Sequence, residues 1–235
     1  MEKQIKGIIF FDIDDTLINT TEFVSFARNE SFNSTLIYMP DIAKSSLEKN
    51  FSKVYSELGS NSTKHYDELF SRLGIQNPIQ KDFLVALAVH SYHEAKRNIT
   101  RFTEKNLEKL LRNLSKDYLL GIVSSGVGVK QMEKLIRTNI SSFFQLENIY
   151  ITESQNFQKN PEFYEKIFSH YSSKYQTQNI WMVGDREDND IVPAKYSGLK
   201  TIRINRGKYN FDFNQSIADS KIYNLNEIEG ILKNN

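Results

Sequence analysis

IIFFDIDDTL, residues 8–17, decides how the rest of the chain is read. An unbroken apolar run, residues 8–11, meets two carboxylates, Asp12 and Asp14, two positions apart. Such a run suits a strand buried on both faces, and the acids then stand where that strand ends. Strand side chains alternate, so Asp12 and Asp14 project to the same side if the extended geometry persists. Ionised carboxylates at that spacing repel each other, and a hard cation such as Mg2+ is the usual reason to place them together. Asp and Thr are also common turn formers after a strand, so this string alone leaves both readings open.

Working outward, short apolar runs recur at residues 5–11, 118–124, 149–151, 180–183 and 201–204, rich in β-branched residues. Amphipathic stretches lie between them at 105–114, 130–138, 161–171 and 191–197. This alternation predicts an α/β fold, a parallel sheet flanked by helices. Residues 221–225 and then 225–232 read as a last edge strand and helix. One region breaks the pattern. From about Thr21 to Thr100 apolar residues such as Leu69, Leu73, Phe83, Leu84, Leu87 and Ala88 recur at helical spacing, with turn signals at 59–62 and 74–78. The expected division is a core of residues 1–18 and 101–235, with a helical module of residues 19–100 inserted after the first strand.

Bulk properties narrow the class. The formal charge is +1 from 30 basic and 29 acidic residues, so neither nucleic acid nor an anionic membrane is an expected partner. No run approaches the roughly 20 apolar residues that span a bilayer. There is no cysteine, which excludes disulfides, thiolate zinc sites and a cysteine nucleophile and fits a reducing cytoplasm.

Three further strings carry chemistry. The run 118–124 ends in Ser124-Ser125-Gly126, where a hydroxyl and backbone N–H groups between strand and helix can receive a phosphate. A plain Ser/Gly turn reads the same way. Lys159 precedes Pro161, a residue suited to a helix's first turn, and a lysine there can neutralise a phosphate or a carboxylate; most surface lysines are merely solvated. Finally VGDREDND, residues 183–190, places Asp185, Asp188 and Asp190 after an apolar strand. They can support an oxygen-liganded cation or cap a helix.

The four strings occur in one order, each after a predicted strand or at a helix start, and ligands of open parallel sheets gather at the strands' carboxyl ends. Together with GIIFFDIDDTLINT, LLGIVSSGVGVKQMEKL and AKYSGLKTIRINRGKY, they resemble the haloacid dehalogenase (HAD) superfamily over nearly the whole chain. They look like a branch of small archaeal phosphatases, some described as acting on glyceraldehyde 3-phosphate. The resemblance implies a Rossmann-like core with a helical cap and an Mg2+-dependent phosphatase of small phosphorylated metabolites working through an aspartyl-phosphate. It makes Asp12 the nucleophile and Asp14 the general acid and base, its carboxyl pKa raised by neighbouring Asp12. Ser124 and Lys159 hold the phosphoryl group, with Ser125 and Gly126 beside them. The chain has KNP where the superfamily usually has Lys-Pro, so Lys159 is displaced by one residue. Mg2+ would be bound by Asp12, the Asp14 carbonyl and Asp185, with Asp190 completing the motif.

Specificity is expected in the insert, where Thr20, Asn61, His65, His93 and Lys96 are polar candidates and Lys96 is the one singled out for substrate. A nucleotidase or phosphoglycolate phosphatase on the same scaffold, or a non-catalytic phosphometabolite-binding protein, are the alternatives. The protein is expected in the cytoplasm, as monomer or homodimer.

Overall fold

The structure is a computed structural model, and it describes residues 4–233. The first apolar run forms β1 (Gly7–Phe11), buried at every position. Five more strands follow: β2 (Tyr118–Ser124), β3 (Ile149–Ile151), β4 (Ile180–Gly184), β5 (Lys200–Ile204) and β6 (Ser220–Ile222). They make one parallel sheet in the order β3-β2-β1-β4-β5-β6. The positions of β1 and β4 are apolar because helices cover both faces. Ile8, Phe10, Ile180 and Met182 pack with Tyr164, Ile167 and Tyr171 into one cluster.

The order reverses at β1. From there the chain steps outward through β2 and β3, then returns to β4 on the other side. A crevice opens at such a switch point, beyond the carboxyl ends of the strands. Phe11 pairs with Ile122 and Val183, so the residues after β1, β2 and β4 emerge at one level of the sheet.

Contacts divide the chain into two units. One comprises the described residues through Glu22 and from Ile99 onward; the other is Phe23–Asn98. The first boundary falls four residues later than the sequence places it, for a local reason. α1 (Thr20–Leu36) begins inside the first unit, where Thr20 donates to Asp14 (2.6 Å) and Thr21 donates its amide and hydroxyl to Asp15 (2.8 and 2.6 Å).

The second unit is helical, as the periodicity predicts: most of α1, then α2 (Lys44–Leu58), α3 (His65–Arg72) and α4 (Pro78–Ala95). Asn77 caps α4 by accepting from the Gln80 amide, and Pro78 occupies its first position. Phe32, Leu47, Phe51, Leu69, Phe70, Leu84 and Ala88 form a core of its own. Phe83, expected in the same stripe, faces outward and lies edge-on to Tyr38.

The first unit's helices are α5 (Leu107–Leu114), α6 (Gly128–Arg137), α7 (Thr152–Gln155), α8 (Pro161–Ser172), α9 (Val192–Tyr196) and α10 (Ile228–Lys233). One element went unread: residues Glu187–Ile191 wind as a π-turn ahead of α9. Such turns are frequent at functional sites. No helix among the described residues is long and apolar enough to cross a membrane.

Candidate active site

The site is built on the first unit at the end of β1. The Asp12 amide donates to the Val183 carbonyl at 2.9 Å, which keeps Asp12 in line with the sheet. Its carboxylate meets Asp185, after β4, and Asp190, in the π-turn; one oxygen from each lies within 4.8 Å of the others. All three are buried, at 5%, 2% and 0% exposure. Gly184 makes this approach possible: a Cβ there would sit 2.4 Å from the Asp190 side chain. Gly184→Ala is therefore expected to push Asp190 aside and cost about 1–3 kcal/mol through overpacking. Thermal denaturation of the variant checks this, and an unchanged midpoint would count against the contact.

Lys159 is the cation of this cluster. Its ammonium donates to Asp12 Oδ1 and Asp190 Oδ1, both at 2.7 Å, and is itself buried. The extra residue in KNP leaves Asn160 to cap α8, accepting from the Phe163 amide, while Lys159 still reaches the sheet's end. Burial works against its charged form, yet the Asp12 and Asp190 carboxylates outweigh that and hold its pKa above the ordinary lysine value.

One ammonium does not balance three carboxylates. Burial raises the Asp12 pKa above the usual carboxylate range, opposed by Lys159 and reinforced by Asp190 and Asp14. Burial likewise pushes Asp185 up, with Asp190, Asp12 and Asp15 adding to it. No donor among the described residues hydrogen-bonds the Asp185 carboxylate. Hard oxygen donors with a deficit of positive charge fit a divalent cation such as Mg2+. Asp190 is already engaged, with Oδ1 on Lys159 and Oδ2 accepting from the Arg186 amide at 3.1 Å. Asp188 is turned away and pairs with the Arg186 guanidinium.

Asp14 departs from the expected pairing. Its carboxylate leaves the Asp12 cluster and accepts from Thr20 (2.6 Å), Gln131 (2.9 Å) and Lys134 (2.5 Å). The pKa rise expected from neighbouring Asp12 does not occur. Burial would raise it, but Lys134 and the three donated hydrogen bonds prevail and lower it.

At the end of β2, Ser124 is fully buried and its hydroxyl has no partner among the described residues. A buried hydroxyl without a partner costs free energy unless a ligand or water completes it. Ser125 is exposed, and its carbonyl accepts from Gln131 at 2.6 Å. Gly126 does not offer the free amide expected of it, because its N–H donates to the Thr152 hydroxyl at 3.0 Å. Lys96 opens a 3-10 segment, Lys96–Phe102, and belongs to the second unit. There too His65 is occupied: its Nε2 donates to the Gly59 carbonyl at 2.8 Å while the ring stacks on Tyr55. His93 and Asn61 are exposed residues of the same unit.

Sequence reasoning missed two supports. Arg203, on β5, is fully buried and donates to the Asp185 carbonyl (2.9 Å), to Glu187 (2.8 Å), to the Tyr209 carbonyl (2.8 Å) and to Asp212. It fixes the backbone that carries Asp185. An arginine inside the apolar run TIRI was the available signal. The second support is the pair Gln131 and Lys134, marked only by a glutamine that is 4% exposed on the buried side of an amphipathic helix.

The sequence profile of the haloacid dehalogenase-like hydrolases matches residues 9–204, and the chain belongs to that family. It is 33% identical to the glyceraldehyde 3-phosphate phosphatase of Methanocaldococcus jannaschii over 98% of both chains. It is 34% identical to the phosphatase of the same name from Methanopyrus kandleri, over 87% of this chain and 86% of that one. Within the family, the chain is a phosphatase. Among solved structures, the magnesium-bound HAD-hydrolase YfnB of Bacillus subtilis matches 97% of this chain and 99% of its own, with a TM-score of 0.63 at 20% identity. That likeness is one of fold.

Proposed function

We propose that the chain is an Mg2+-dependent phosphatase of small phosphorylated metabolites, glyceraldehyde 3-phosphate first among them, that works through an aspartyl-phosphate on Asp12. The observation behind this reading is the buried carboxylate trio with its single ammonium, Lys159. Mg2+, held by the Asp12 and Asp185 carboxylates and the Asp14 main-chain carbonyl, would supply the missing positive charge against the phosphoryl oxygens. Asp190 anchors Lys159.

The residues divide the work. Asp12 attacks phosphorus in line, and the bond to the ester oxygen breaks. Asp14, held as a carboxylate by Lys134 in the free site, would have to take up a proton before this step and then hand it to the departing oxygen. Lys159, the Ser124 hydroxyl and the main chain around Ser125 hold the phosphoryl oxygens. In the second half, Asp14 takes a proton from water, whose oxygen attacks phosphorus and releases inorganic phosphate from Asp12. Substrate selection by the second unit, with Lys96 as its contact, belongs to the same proposal, as does a cytoplasmic location.

Phosphate release from a panel of glyceraldehyde 3-phosphate, sugar phosphates, phosphoglycolate and nucleoside monophosphates, with Mg2+ and with EDTA, tests the reading. Mg2+-dependent release, highest from the triose phosphate, is expected. Preference for phosphoglycolate or a nucleotide would move the substrate assignment, and release from none would end the phosphatase mechanism proposed here.

A further inference from the structure

One peptide unit in the loop after β2 is held at both ends. The Ser125 carbonyl accepts from Gln131 Nε2 at 2.6 Å, and the Gly126 amide, the other end of the same peptide, donates to Thr152 Oγ1 at 3.0 Å. The two side chains come from different elements, Gln131 from α6 and Thr152 from the first position of α7. Thr152 stands on a stiff support. Gln155, at the other end of α7, accepts from the Ile151 amide (3.2 Å) and donates to the Ile149 carbonyl (3.3 Å), which ties the turn back to β3. Gly128, where α6 begins, lies so close to α7 that a Cβ there would stand 1.9 Å from Ser154 Oγ.

Gly126 is the reason a clamp is needed. Its φ is +110°, open to glycine but rarely to other residues, and glycine has further conformations of similar energy. Rotation of the peptide would exchange a partially positive N–H for a partially negative oxygen beside the phosphate site. With the Gly126 amide spent on Thr152, the donors left in the loop are the Ser124 hydroxyl and the Ser125 amide, and neither has an acceptor among the described residues.

We propose that Thr152, opposite Gln131, is a positioning residue for phosphoryl binding: it locks the Ser125–Gly126 peptide so that the Ser124 hydroxyl and the Ser125 amide receive the phosphoryl oxygens. The proposal rests on the phosphatase reading above. Thr152 acts through the loop and takes no part in the bond changes. Every phosphate monoester presents the same phosphoryl group to this loop, so the contribution of Thr152 is blind to the leaving group. Gln131 also bonds Asp14, which makes Thr152 the cleaner half of the clamp to test.

The experiment compares the parent, Thr152→Val and Thr152→Ser. Calorimetry gives the affinity for Mg2+ alone and for inorganic phosphate in excess Mg2+; kcat/KM is measured for glyceraldehyde 3-phosphate and 4-nitrophenyl phosphate, and melting curves verify folding. Valine keeps the shape of threonine without its acceptor. Thr152→Val should weaken phosphate binding and lower kcat/KM on both esters by a common factor on the order of 10-fold, less than outright removal of an oxyanion donor costs. Mg2+ affinity should stay within about twofold, and Thr152→Ser should bring phosphate affinity back to within about threefold of the parent. Unchanged phosphate affinity in Thr152→Val, a loss confined to one ester, a parallel loss of Mg2+ affinity, or failure of serine to rescue would each overturn the positioning role. A parent that cleaves neither ester would overturn the phosphatase reading instead, and the phosphate affinities of parent and variants would then decide the role of Thr152 by themselves.

Discussion

Asp12→Asn should lose at least about 10³ in turnover, equivalent to more than about 4 kcal/mol of transition-state stabilisation, while keeping its fold. An amide oxygen still accepts from Lys159, so the 2.7 Å contact has a replacement, but it is no nucleophile toward phosphorus. Stability should move the other way from activity. Asp12 is one of three buried carboxylates sharing one ammonium, and its pKa is raised by burial. Removing its charge relieves that strain, so the metal-free variant should melt at or above the parent's temperature near neutral pH. Phosphate release and a melting curve on the same sample check both halves. A variant that turns over at the parent rate would remove Asp12 from the nucleophile's role.

Lys159→Met should cost about 3–5 kcal/mol of stability in the metal-free protein near neutral pH, the penalty for stranding buried charge without its partner. The pH dependence has a definite sign. Asp12 and Asp185 have folded pKa values above their unfolded ones, so folding favours their protonated forms. That contribution is full below about pH 4 and is lost as pH rises through the folded values. Lys159 opposes both shifts, so without it the decline should become steeper. Acidification or excess Mg2+ should each restore much of the lost stability, the latter by binding only the folded site. Catalysis should stay depressed throughout, since neither treatment returns the ammonium to the phosphoryl group. Melting curves in EDTA across pH, then with Mg2+, decide the matter; a variant as stable as the parent at every pH would refute the charge balance.

Much of this was legible before any coordinates. Asp12 and Asp185 stand directly after runs of apolar residues whose composition suits only a doubly covered strand, which fixed their place at the sheet's carboxyl end. Lys159 was harder. KNP displaces it by one residue, and only the packing of α8 against the sheet shows that Asn160 takes the cap while Lys159 reaches Asp12. Asp14 stands two residues from Asp12, but its partners do not follow from that spacing. Thr20 is close along the chain, whereas Gln131 and Lys134 are 117 and 120 residues away. Their charge and hydrogen bonds reverse the pKa direction that sequence proximity suggests.

Order along the chain and alternation of buried runs were enough to determine a parallel α/β core and its helical insert. Both follow from local rules, because strand burial and helix periodicity are written in adjacent residues. Tertiary structure alone decided which carboxylates gather at Lys159 and which is clasped by Lys134. It also decided that Gly126 spends its amide on Thr152 and that Arg203 steadies Asp185 from the next strand. Electrostatic partners are chosen by distance in space, and a folded sheet brings together groups that no spacing in the sequence pairs.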